Sequence, residues 1–230
     1  GWIISKPNSI LNFGQDENSR EGIKEIFNLY GTDSLSYFAL RKDKKIFKTN
    51  NGFLAYRIIN GICLVSPEPI GKNPVLVWEE FSYLVKQKGF PIVIVGATKD
   101  FSETLKEKGM FVINAGDEAI VNIKDYSLQG HSKKPVRLAV NRMKRNGYYT
   151  EIVFSKNLNR NVLDEIKNIA PKTRIGNFER GFSMTLGSIA DPNEEILLVL
   201  VRNITKKLCA FAQFVPSKDI NGFSLDITRR

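Results

Sequence analysis

His131–Asn146, HSKKPVRLAVNRMKRN, is the stretch on which the division of the chain turns. Wound at about 100° per residue, it places Lys133, Lys134, Arg137, Asn141, Lys144 and Arg145 within an arc of about 120°. Val136, Ala139, Val140 and Met143 gather on the opposite side, so the spacing predicts a helix with one side for packing and one for an anion. Arg142 adds to the basic set. Between Asp125 and Glu151 there are six Lys or Arg and no acid, so no nearby carboxylate in the sequence neutralises the stripe. A solvated helix face is the competing reading of the same charges.

On either side of this helix the sequence carries α/β grammar. Upstream, Asn18 or Ser19 as N-cap, then REGIKEIFNLYG with Ile23, Ile26, Phe27 and Tyr30 at helical spacing and a closing glycine, predicts a first helix. Ser36–Leu40, Lys45–Lys48, Gly52–Ile59 and Ile62–Ser66 are separated by Lys-Asp-Lys, Asn-Asn-Gly and Asn-Gly breaks and read as an antiparallel meander. Pro74 opens an amphipathic helix, VLVWEEFSYLVKQKG, that Gly89 closes. PIVIVGA has the β-branched content of a buried central strand, Asp100–Lys108 reads as a helix stopped by Gly109, and MFVINAG and DEAIVNI read as two further strands.

Downstream the pattern restarts in shorter form. Tyr148–Phe154 is expected as a strand and Leu158–Ala170 as a helix, with a glycine-rich connection over Pro171–Ser188. Ile196–Arg202, Leu208–Val215 and Gly222–Ile227 are expected as strands, the first two joined by an Asn-Ile-Thr-Lys turn. The expected organisation is therefore mixed α/β in two lobes: 1–130, a basic connecting helix 131–147, and 148–230. The second lobe reads as incomplete, because it stops on a strand with no covering helix.

Composition narrows the class. Hydrophobic residues at 42% and charged residues at 25% are globular values that exclude a disordered or fibrous chain. A net charge of +10 favours a polyanionic partner, nucleic acid or an anionic membrane surface. Cys63 and Cys209 sit far apart in apolar runs and read as buried free thiols. His131 is the sole histidine, which argues against a histidine-ligated metal and reads as a loop residue. No apolar run approaches the roughly 18 to 20 residues needed to span a bilayer, and GWIISKPNSILNF lacks the pattern of a secretion signal.

The phosphate-cradling, nucleophile-elbow, HExxH and CxxC motifs are absent, so the remaining candidates are local constellations. Asp117 and Glu118 stand at a strand entrance, where they would point to opposite faces, or form a plain solvent-exposed turn. Glu179, Arg180 and Phe182 lie in a loop, FERGFS, too polar for core and too aromatic for a linker, as lids often are. Asp226 and Arg229, three apart on the last strand, either orient a polar substrate or pair with each other.

Taken together, WEEFSYLVKQKGFP, GDEAIVNIKDYSLQG, KKPVRLAVNRMKRNGY, ERGFSM, LCAFAQF and the terminal SLDITRR resemble, in order and spacing, the soluble C-terminal domain of the MprF-type phosphatidylglycerol lysyltransferases. The resemblance covers about Tyr37 to Arg230. It implies tandem GNAT-type acyltransferase lobes and transfer of an aminoacyl group, lysyl or sometimes alanyl, from aminoacyl-tRNA to a glycerol hydroxyl of phosphatidylglycerol. It further implies a multi-helix flippase domain upstream, a place at the cytoplasmic side of the cell membrane, no cofactor and no metal.

In that frame Lys133, Lys134, Arg137, Asn141, Arg142, Lys144 and Arg145 are expected to hold tRNA or lipid phosphate. Asp226 is expected to hold the amino acid's ammonium group, with Arg229 bracing it or contacting phosphate, and Glu118 and Glu179 are candidates for base or ε-ammonium recognition. The alternatives in view are another GNAT-type acyl or aminoacyl transfer, and a non-catalytic basic domain that binds membrane or RNA.

Overall fold

A computed structural model of the chain describes residues 20–31, 33–170, 189–191, 195–218 and 221–230. The architecture is mixed α/β, with two compact units: residues 20–104 and 214–227 belong to the first, and 105–170, 189–213 and 228–230 to the second.

The first unit is built on a sheet in the order β1-β2-β3-β5, with β4 also paired to β2. Strand β1 (Lys45–Thr49), β2 (Gly52–Ile59) and β3 (Ile62–Val65) form the expected antiparallel meander, with Lys45 opposite Tyr56 and Tyr56 opposite Val65. Strand β4 (Ile70–Gly71) lies beside the start of β2. At that crossing an added Cβ on Gly52 would overlap the Ile70 carbonyl and sit 2.6 Å from the Gly71 Cα, so only glycine fits.

Both faces of β2 are covered over Phe53, Leu54, Ala55 and Tyr56, as the apolar run there leads one to expect. Phe53 and Ala55 join Ile46, Ile70, Phe38 and the buried side of helix α1 (Ile23–Tyr30), where Ile23 and Phe27 point inward. On the other face the Phe47 and Tyr56 rings stand 5.1 and 4.9 Å from that of Phe81 in helix α2 (Pro74–Gln87). Val77, Trp78, Phe81 and Val85 are all buried there, each contributing about 1.5–3 kcal/mol. Asn73 caps α2 by accepting from the Leu76 N–H at 3.2 Å, and Pro74 follows at the first helical position.

Several expectations need correction. Ser36–Leu40 is a 3₁₀ turn, not a strand; it tucks Tyr37, Phe38 and Ala39 under α1 instead of pairing. Helix α1 starts after Gly22, without a side-chain cap, while Asn18 and Ser19 lie outside the described residues. The PIVIVGA run yields only β5 (Ile92–Ile94), parallel to β3, and Val93 is 41% exposed. It ends the sheet order among the described residues instead of standing in its centre.

Helix α3 (Lys99–Glu107) forms as expected, with Phe101 packed edge-on against Trp78. The two strands expected at MFVINAG and DEAIVNI do not form: the backbone there is irregular, with Phe111 88% and Ile123 85% exposed. Strand propensity is realised only beside a pairing neighbour, and none flanks this run among the described residues.

In the second unit, helix α4 (Lys134–Arg145) is the basic helix. Strand β6 (Tyr149–Phe154) pairs antiparallel with β7 (Leu197–Arg202), Tyr149 opposite Arg202. The sheet continues in chain order through β8 (Leu208–Ser217) and β9 (Gly222–Arg229), whose residues 214–217 and 222–227 are counted with the first unit. Helix α5 (Arg160–Ile169) is capped by Asn159, which accepts from Val162 at 2.9 Å. It buries Ile166 and Ile169 in a unit whose strands bury Leu198, Leu200 and Leu208.

Arg202 ties this helix to the sheet, 3.0 Å from Glu151 and 2.9 Å from Glu165. Burial opposes its charge, but the two carboxylates outweigh burial and hold the guanidinium above its ordinary pKa. The turn 203–206 closes by Lys206 N–H donating to the Asn203 carbonyl at 2.9 Å.

Candidate functional site

The basic helix presents its cations as expected, but its other side does not pack. No residue of α4 is buried: Val136 is 44% and Met143 42% exposed, so the expected packing face is open to solvent in this structure. Pro135 lies in the first turn and Arg142, Lys144 and Arg145 in the last, where cations suit the helix dipole.

The other end runs against that rule. Lys133 is the N-cap, Lys134 and Arg137 follow, and the first turn holds no acid, so positive side chains sit at the positive end of the dipole. Such an end is a favourable place for an anion. Arg137 is partly committed, its Nη1 donating to the carbonyls of Leu128 and, at 3.1 Å, of Gly130. Lys133 Nζ stands 5.1 Å from the centre of the Tyr126 ring. Lys134, Asn141, Arg142, Lys144 and Arg145 are exposed, and His131 is an exposed loop residue before the helix.

Asp117 and Glu118 are exposed on irregular backbone, so they do not stand at a strand entrance or point to opposite faces of a sheet. Glu179, Arg180 and Phe182 lie outside the described residues. Arg229 donates from Nε to the Ala170 carbonyl at 2.9 Å and from Nη1 to that of Thr228, and partial burial lowers its pKa.

Asp226 is placed by a partner the sequence did not disclose. Its side chain is 2% exposed and ion-paired with Arg41, itself 4% exposed. The Arg41 guanidinium also lies over Phe38 and Tyr37, 5.5 and 5.9 Å from their ring centres. Its Nε and Nη1 have no hydrogen-bond partner among the described residues.

The neighbouring Lys44 is equally enclosed and donates to the carbonyls of Phe38 at 2.9 Å and Ser66 at 3.1 Å. Burial lowers its pKa to about 8, with Asp43 opposing that shift and Arg41 adding to it. Arg20 wraps the same turn, donating to the carbonyls of Arg41 at 3.2 Å and Lys44. The sequence signal for this cluster was Arg41-Lys42-Asp43-Lys44, a run so polar that it reads as a solvated break between strands.

A second missed group is Glu68. It accepts from the Thr98 amide at 2.7 Å and its hydroxyl at 2.8 Å, while burial raises its pKa against those bonds. Thr98 in turn accepts from Phe101, so the pair fastens the entry of α3. Among the described residues no group of His, Cys, Asp and Glu is arranged to hold a metal. No helix among them is long and apolar enough to cross a membrane.

Residues 24–230 match the family described as phosphatidylglycerol lysyltransferase, C-terminal. The chain belongs to this family. Relatives of this family domain include the lysylphosphatidylglycerol biosynthesis bifunctional protein LysX of Mycobacterium leprae, 35% identical over 225 residues. The LysX of Mycolicibacterium gilvum is 34% identical over a similar span. These matches take in 94% of this chain but 19% and 20% of the relatives, so the chain spans a small part of their length.

The fold agrees with that membership. The structure of L-PGS from Bacillus licheniformis superposes with a TM-score of 0.77 at 20% identity, covering 91% of this chain and 67% of the other. The C-terminal domain of a putative lysylphosphatidylglycerol synthetase from Agrobacterium fabrum gives 0.73 at 19% identity, covering 92% and 67%. The lysyltransferase-family domain thus shares its mixed α/β fold with both.

Proposed function

We propose that the protein transfers an aminoacyl group, lysyl in the first instance, from aminoacyl-tRNA to a glycerol hydroxyl of phosphatidylglycerol. The family match over residues 24–230 carries this reading. In the reaction the glycerol oxygen bonds to the aminoacyl carbonyl carbon, the ester bond to the terminal ribose of the tRNA breaks, and the hydroxyl proton passes to the departing ribose oxygen. One ester replaces another, so alignment, a local base and donors to the developing oxyanion suffice.

The acid-free helix α4 supports the reading: Lys133, Lys134, Arg137, Asn141, Arg142, Lys144 and Arg145 supply phosphate contacts for tRNA or lipid. Glu118, on exposed backbone, is the candidate base. Asp226 is the acid assigned to the aminoacyl ammonium group, which has to take the place of Arg41 in the ion pair that now encloses the carboxylate, and Arg229 is assigned to bracing Asp226 or contacting phosphate. Glu179, Arg180 and Phe182 are assigned to amino-acid recognition or a lid. The product is a cationic lipid, which lowers the negative charge of the membrane and favours resistance to cationic antimicrobial peptides. The reading places the domain at the cytoplasmic side of the cell membrane, with a transmembrane flippase domain as a further partner.

Glu118→Gln is expected to lower kcat with little change in KM, whereas Lys133→Glu with Lys134→Glu raises KM for a phosphate-bearing substrate. Wild-type turnover that neither change affects removes these residues from the reaction.

A further inference from the structure

The two faces of α4 specify a partner with two different properties. Placed at about 100° per residue from Lys133, Val140, Val136, Met143 and Ala139 fall between about 240° and 340°. Lys133 and Lys144 border this arc on one side, at about 0° and 20°, and Arg142 borders it on the other, at about 180°. None of these residues is buried. Tyr126, 44% exposed and under the Lys133 ammonium, adds an aromatic ring at the N-terminal end.

We propose that α4 lies in the interface of an anionic lipid bilayer, with Val136, Val140 and Met143 entering the acyl boundary and Lys133, Lys144 and Arg142 reaching the phosphates from either border. It rests on the lipid-acceptor reading and adds to it a surface that docks the protein on the membrane.

Charge and apolar exposure together select this occupant. Six Lys or Arg and no acid between Asp125 and Glu151 complement an anionic surface. RNA would satisfy the cations, but aliphatic Val and Met offer no stacking surface to bases. A protein interface would cover the apolar arc, but the core of such interfaces is depleted of charge, and here cations flank the arc on both borders. Apolar arc, cationic borders and an aromatic ring at one end are the makeup of a helix lying in the membrane plane. Long Lys and Arg side chains can lie along apolar surface while their heads reach phosphate.

The test uses sedimentation with vesicles of phosphatidylglycerol and phosphatidylcholine, against vesicles of phosphatidylcholine alone. Wild-type protein is expected to sediment with the anionic vesicles only. Val136→Gln with Met143→Gln, both on exposed helix positions, is expected to weaken that binding about tenfold or more, and Arg142→Glu by roughly fivefold or more. The glutamine pair is expected to leave lysyl-tRNA binding, and transfer to a short-chain phosphatidylglycerol dispersed as monomers, unchanged.

Vesicle binding by the glutamine pair equal to wild type overturns the proposal. So does a loss of tRNA affinity in its place, which makes α4 an RNA ridge, or self-association of the wild type that the glutamine pair abolishes, which makes it a contact between copies. The monomeric acceptor reads the transferase assignment separately: a wild-type protein that makes no product from it contradicts that assignment, while sedimentation still decides the docking.

Discussion

An Arg41→Met substitution removes the guanidinium ion-paired with a carboxylate that is 2% exposed and 185 residues away in sequence. A charge left buried without its counter-ion costs about 3–5 kcal/mol, more than any gain from the apolar replacement. For a chain of this size each kcal/mol moves Tm by about 2–4 °C, so the expected fall is roughly 6–20 °C. Asp226→Leu alone strands the guanidinium and should cost a similar amount. The double variant Arg41→Met/Asp226→Leu removes both charges and is expected to recover most of the loss. Thermal and urea unfolding followed by circular dichroism measures all three. A single variant that loses less than about 1 kcal/mol, or a double variant no more stable than the singles, would refute the buried-pair reasoning.

Three further outcomes rest on the burial of Lys44, Gly52 and Cys63. Lys44 has a folded pKa near 8 against an ordinary 10.5, so the native state binds fewer protons between those values. Its contribution to stability is present above the unfolded pKa and lost as pH falls through about 8; relative to Lys44→Met, wild-type stability should rise by about 3 kcal/mol from pH 8 to 10.5. Parallel pH profiles for the two proteins would contradict this. Gly52→Ala drives a Cβ into the β4 backbone and is expected to cost about 2 kcal/mol or more in urea unfolding; a neutral result would mean the crossing is looser than the structure shows. Cys63 is buried with its thiol pushed up to about 12, whereas Cys209 is half-buried, so native alkylation should modify Cys209 first and Cys63 only on unfolding. Equal labelling rates, read by mass spectrometry, would count against that burial.

The elements legible in the sequence were those whose signal is local. Pro74 at the first helical position, the amphipathic run VLVWEEFSYLVKQKG and its closing Gly89 define α2, and the Asn-Asn-Gly and Asn-Gly breaks mark the turns of the β1-β2-β3 meander. Cationic α4 was equally plain, because charge spacing needs no tertiary partner to be read.

What escaped depended on neighbours. Ser36–Leu40 has strand-like residues but answers to the packing of Phe38 beneath α1, and Phe111–Ile123 has strand propensity with no strand beside it among the described residues. Arg41 and Lys44 escaped for the opposite reason. A run of charges predicts solvent, and only a carboxylate far along the chain and a ring of carbonyls make their burial tolerable.

The most direct measurement of the account is product formation from radiolabelled lysyl-tRNA and phosphatidylglycerol vesicles, with lipid extracts separated by thin-layer chromatography. Label is expected to move from tRNA into a lipid that runs as lysyl-phosphatidylglycerol, with none formed when phosphatidylcholine replaces the acceptor. Label that stays on tRNA or appears only as free lysine, with alanyl-tRNA behaving the same way, would contradict it.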